Sequence, residues 1–136
     1  MKSNKIAILL AVAAIVLSVL ACGTPSGPST SNFYMANDEA GQNKTTTFTS
    51  SDTFFVFFDV SGITVGTPFQ SRWYALDVPG EDPTKPFLKT DYTYGSSIGN
   101  KISFQAMNSN GWPSGSYKVE IYMSDTKVGE VQFSVK

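Results

Sequence analysis

The sequence predicts an all-β domain, a single antiparallel sandwich of about seven strands, carried behind an export signal. Three observations lead there. From Phe33 onward, aromatic and β-branched residues recur in short runs separated by clusters of Gly, Pro, Asn, Asp and Ser. The clearest of those runs alternate apolar and polar residues, and helical periodicity is absent. The chain has 136 residues, which, less its leader, is enough for one domain of ordinary size.

The leader comes first. Lys2 and Lys5 form a short basic start, and Ile6 to Ala21 is apolar except for Ser18. The run stops at Val19-Leu20-Ala21-Cys22-Gly23. That order of charge, apolar run and small residue is a secretory signal. The apolar run is shorter than the roughly 18–20 residues of a spanning helix, and no cationic stop follows it. Its ending resembles the lipobox of bacterial lipoproteins. The resemblance implies cleavage after Ala21, a diacylglycerol on Cys22, and an extracytoplasmic protein attached to a bacterial membrane. The rival is ordinary secretion with Cys22 as a free thiol. An unpaired cysteine is a liability in an exported chain, however, and its place directly after a small residue is what lipidation needs.

Gly23 to Asn32 holds no apolar residue large enough to build a core, so it reads as a flexible, solvated tether. The expected organisation is a signal peptide over 1–21, a lipidated N-terminus and linker over 22–32, and the sandwich over 33–136. Thr45 to Thr49, with Phe33 to Ala36, supplies the first strand. Phe54 to Val60 is apolar on both faces, and Phe69 to Val78 contains Trp73 and closes at Pro79-Gly80. Pro83 and Pro86 make Glu81 to Pro86 a loop, followed by a short or edge strand over Phe87 to Tyr94. Ile102, Phe104 and Ala106 alternate with Lys101, Ser103 and Gln105. Tyr117, Val119, Ile121 and Met123 form the dry face of another strand, and Val131, Phe133 and Val135 that of the last. The polar Ser124-Asp125-Thr126-Lys127 between these two predicts an antiparallel hairpin, although a tight turn would favour Asn-Gly or Asp-Gly. The strand count and turn spacing are those of an immunoglobulin-like sandwich.

Composition removes whole classes of function. Without the leader's two lysines, eight Lys plus Arg stand against eleven Asp plus Glu, a net charge of −3 with no basic run. Nucleic acid and anionic headgroups are poor partners for such a chain. There is one cysteine and no histidine, so no disulfide or thiolate metal site is available and the commonest general base is missing. No Ser-x-x-Lys or Gly-x-Ser-x-Gly segment occurs. The expectation is a protein without catalysis, metal or cofactor.

After the leader, the most distinctive segment is Trp112-Pro113-Ser114-Gly115-Ser116-Tyr117, followed by Val119-Glu120-Ile121-Tyr122. It resembles the start of the penultimate strand in fibronectin-III-like and other bacterial immunoglobulin-like domains. With the remaining strands, the domain resembles small bacterial surface lipoproteins of unassigned function. The resemblance implies a tyrosine corner, with the Tyr117 ring at the end of the core and its hydroxyl bonded back to the turn. Trp73, in mid-strand, reads as the core tryptophan.

The candidate binding residues are aromatic. If Phe54, Val56, Phe58 and Val60 face the core, Phe55 and Phe57 point outward on the same strand. They then form an apolar patch for a protein partner or second copy, extended by Tyr122, unless Phe33 to Met35 folds over them. Trp112 either caps the core or offers a platform to a sugar. Asp77, Glu81, Asp82 and Asp91 have oxygens suited to Ca²⁺, but their spacing fits no EF-hand and a solvated acidic loop is the simpler account. Asn43-Lys44-Thr45 matches the glycosylation sequon by chance. The expected function is a lipid-anchored binding module of the bacterial cell envelope, whose partner is an envelope protein or a glycan. The alternatives are a carbohydrate-binding module at the cell wall and a purely structural accessory subunit.

Overall fold

The computed structural model describes residues 27–136. The leader over 1–21, Cys22 and the first residues of the expected linker lie outside the described residues. Eight strands follow in order: β1 (Ser29–Ala36), β2 (Thr47–Phe48), β3 (Phe54–Ser61), β4 (Pro68–Asp77), β5 (Leu88–Thr93), β6 (Lys101–Ala106), β7 (Gly115–Met123) and β8 (Thr126–Val135). They form two sheets, one ordered β1-β3-β6 and one ordered β2-β8-β7-β4-β5. All pairings are antiparallel except the short β2 on β8. This is an immunoglobulin-like β-sandwich.

The inner faces follow the period-two pattern. Val56, Phe58, Ile102 and Phe104 from one sheet meet Phe69, Trp73, Val119, Ile121 and Phe133 from the other, all buried. Trp73 is fully buried and donates its indole N–H to Ser71 Oγ at 3.0 Å, which satisfies both polar groups inside the core.

Three local expectations change. First, β1 begins at Ser29, inside the stretch whose composition reads as linker. Ser29, Thr30 and Ser31 pair with Ser61, Val60 and Asp59. Ladder bonds come from the backbone, so polar side chains do not prevent an outer strand from forming. Second, the expected first strand is two strands in different sheets: β1 lies on β3 and β2 crosses to β8. Third, the last turn is only Ser124-Asp125, with φ values of +47° and +66°. Thr126 and Lys127 already belong to β8. Two successive positive φ values give the strand-matching twist of a type I′ turn.

Two glycines are required where the backbone has no room. At Gly115 (φ +153°) a Cβ would overlap the Asp77 carbonyl oxygen. At Gly41 (φ +67°) it would lie 2.8 Å from the Tyr34 hydroxyl and 3.0 Å from the Phe57 ring. Only glycine suits both the conformation and the close approach.

Candidate binding sites

Phe55 and Phe57 do point away from the core, but the outward patch expected of them does not form. Tyr34, their neighbour across the β1–β3 pair, lies flat on Phe57 with ring centroids 5.2 Å apart and planes 14° apart. Gly41 closes over the same ring. Its loop is pinned by the Asp38 carboxylate, which accepts the backbone N–H groups of Gln42 (3.1 Å) and Asn43 (2.7 Å). Phe57 is left only 5% exposed. The N-terminal segment therefore covers it, which sequence spacing allowed but could not decide. Phe55 stays half-buried beside a cleft of about 340 Å³ that Tyr92 and Phe104 also line. There the Tyr92 hydroxyl is buried without a hydrogen bond.

Tyr122 does not extend that surface. It stands on the outer face of the five-stranded sheet, on the opposite side of the sandwich. The Arg72 guanidinium lies 3.8 Å from its ring centroid, and its hydroxyl donates to Glu120 Oε2 at 2.8 Å. Glu120 Oε1 also accepts from Lys118 Nζ (2.7 Å) and Lys127 Nζ (3.3 Å), and Lys127 bonds to Glu130 as well. Burial pushes the Glu120 carboxyl up, but the bonds from Lys118, Tyr122 and Lys127 outweigh it and hold it at about 2. The Glu120 carboxylate is satisfied by its neighbours, and with Arg72 on Tyr122 the cluster is a clamp across β4, β7 and β8 rather than an open site.

The third location is one end of the sandwich, where the β4–β5 and β6–β7 loops meet. Trp112 is 7% exposed. One face of its indole stacks on Phe54 at 4.4 Å, and its N–H donates to the Asp52 carbonyl at 2.9 Å. Its ring is thus committed to the core's end and is not a free platform for a sugar. The Tyr117 hydroxyl donates to the Pro113 carbonyl at 2.6 Å. Burial, and then the charge of nearby Glu81, raises the Tyr117 phenol above its ordinary value.

Beside these two rings lies a cavity of about 250 Å³. Its lining includes the buried Ala75 and Val78, the rings of Phe87 and Tyr117, Pro113, and the polar Glu81 and Asn108. Phe87 is 38% exposed, and its ring centroid lies 5.6 Å from that of Trp112 and 6.2 Å from that of Tyr117. No sequence pattern marks Phe87, which reads as the start of a short edge strand. Only the fold brings it to Trp112.

The acidic loop residues separate. Asp82 accepts from Thr84 and lies 3.6 Å from Lys85, Asp91 accepts from Gln70, and Glu81 lines the cavity. Among the described residues no three His, Cys, Asp or Glu side chains converge as metal ligands would.

The class defined by this architecture is the immunoglobulin-like β-sandwich. No protein-family model matches the chain, and no curated protein does either. Among solved structures it is similar to an immunoglobulin-like protein from Pseudomonas aeruginosa, at 14% identity and a TM-score of 0.59, over 84% of this chain and 100% of that one. It is also similar to part of the alkylpurine DNA glycosylase AlkC from Pseudomonas fluorescens, at 9% identity and a TM-score of 0.55, over 80% of this chain and 30% of that one. A third likeness is to part of a β-glucosidase from Listeria innocua, at 11% identity and a TM-score of 0.50, over 79% of this chain and 16% of that one. At such identities these likenesses are to the fold, which hosts many functions.

Proposed function

We propose that the protein is a non-catalytic binding module of the bacterial cell envelope, held at the outer surface of a membrane by a lipid on Cys22. One observation carries the reading beyond fold and leader. The chain enters the sandwich at the end opposite the aromatic cavity. Ser29 pairs with Ser61 at the finish of β3, and a Cβ on Gly62 would sit 3.3 Å from the Gly27 carbonyl oxygen. Trp112, in contrast, stacks on Phe54 at the start of β3. The two ends are a strand's length apart, roughly 25 Å for eight residues. A tether from Cys22 would therefore present the cavity away from the membrane. Two or three acyl chains, at about 0.8 kcal/mol per buried methylene, hold such a domain stably where one would not.

The glycan alternative gains nothing from Trp112, whose exposed area is small and whose face is occupied by Phe54. The anchor is tested by membrane fractionation and metabolic lipid labelling of Cys22→Ser. The variant should lose the label and leave the membrane. Unchanged membrane attachment would mean that something else holds the protein. The binding end is tested by placing a photo-cross-linker at Phe87 or at the exposed Val65, on the β3–β4 loop at the other end. Discrete adducts are expected at Phe87 and not at Val65, whereas equal adduct formation would contradict the reading.

A further inference from the structure

We propose that the end cavity accepts one lysine or arginine side chain of a protein partner, with the aliphatic stem against Phe87 and Pro113 and the cationic head at Glu81. This inference rests on the binding-module reading above and names the chemistry its site would select. Size argues first. At about 250 Å³ the cavity is smaller than the roughly 300–1,000 Å³ typical of small-molecule pockets, and it suits a single long side chain.

Charge argues second. The lining includes one carboxylate, that of Glu81, and no lysine or arginine. Of the acids on the adjoining loops, Asp52 accepts the Thr49 N–H at 2.7 Å, and Asp82 is bonded to Thr84 and beside Lys85. Asn108 carries no charge, and it donates to the Gly111 carbonyl and accepts the Asn110 N–H. Glu81 makes no side-chain hydrogen bond or ion pair among the described residues, so its charge is available to an incoming cation.

The rings argue third. Phe87, Trp112 and Tyr117 are mutually inclined, with interplanar angles of 54°, 89° and 76°. Ring faces attract a cation and the apolar walls take its stem, which favours a cation carried on an apolar stem over a bare ion. A purely apolar side chain would fill the walls and leave the carboxylate unanswered.

The test is an NMR titration of the purified protein, reading the two indole N–H signals, with N-acetyl methylamides of lysine, arginine, norleucine and glutamate as probes. Lysine and arginine should shift the Trp112 signal saturably, with norleucine about tenfold weaker and glutamate inert, while Trp73 in the core does not move. Glu81→Gln should weaken the basic probes at least about fivefold and leave norleucine unchanged. An unmoved Trp73 signal in that variant shows the fold intact. A norleucine response equal to lysine would overturn the selection for charge while leaving the cavity a binding site. If no probe moves Trp112, both the inference and the assignment of this end as the binding end fall, but the anchor does not.

Discussion

Tyr117 meets two demands at once. Its ring stacks on Phe133 at 5.6 Å within the core, and its hydroxyl satisfies the Pro113 carbonyl in the turn before its own strand. Tyr117→Phe keeps the ring and removes the bond, leaving the carbonyl short of a donor, so it should lower the unfolding free energy by about 1–3 kcal/mol. Denaturant midpoints of the two proteins measure this, and equal midpoints would mean that the hydroxyl contributes nothing. Tyr92 is the reverse case. Its buried hydroxyl lacks a partner, so Tyr92→Phe should raise stability by about 1 kcal/mol, and a loss of stability would show that the hydroxyl is bonded in solution. The Tyr117 bond spans four residues, a distance that turn chemistry written in one segment can express. The Tyr92 environment joins β5 to β6 across the sandwich, and no local pattern encodes it.

At the scale of strands and sheets, the outer face of β4, β7 and β8 is held by the cluster around Glu120. Its carboxyl sits at about 2 in the folded protein against an ordinary 4.5. A group whose value is depressed by folding contributes stability fully above its unfolded value and loses it as pH falls toward the folded one. The contribution, about 3 kcal/mol at neutral pH, should therefore disappear between about pH 4.5 and 2. Glu120→Gln should flatten that part of the pH–stability curve, and an equally steep curve in the variant would assign the acid transition elsewhere. On the opposite sheet, Phe57 belongs to a covered aromatic pair with Tyr34. Phe57→Ala should cost about 3–5 kcal/mol, and half-buried Phe55 much less. A negligible cost at Phe57 would restore it as a surface residue. Alternation made the direction of both rings legible in β3, as it did the inner faces of β4, β6, β7 and β8. What covers Phe57 was not legible, because Tyr34 arrives from a neighbouring strand and Gly41 from a loop held by Asp38. The same limit hid the crossing of the chain between sheets from β1 to β2, since a strand's partner is decided by packing rather than by its own residues.

For the whole molecule, the point at which the described chain enters the sandwich and its Trp112-Pro113-Ser114-Gly115 segment lie at opposite ends. The chain reaches the sandwich beside Gly62, and the Trp112-Pro113-Ser114-Gly115 segment closes the far end over Phe54. The sequence shows each part separately; their opposition follows from strand direction, which emerges only once β3 is paired on both sides. The proposed account is that Cys22 is fixed at a membrane and the cavity of Phe87, Trp112 and Glu81 faces outward. Its most direct test is fluorescence quenching on vesicles whose lipid headgroups carry a quencher. The lipid-anchored protein would be labelled either at Val65→Cys, beside the chain's point of arrival, or at Asn110→Cys, on the loop above the cavity. Strong quenching is expected at position 65 and weak quenching at position 110. Equal quenching, or stronger quenching at 110, would contradict it.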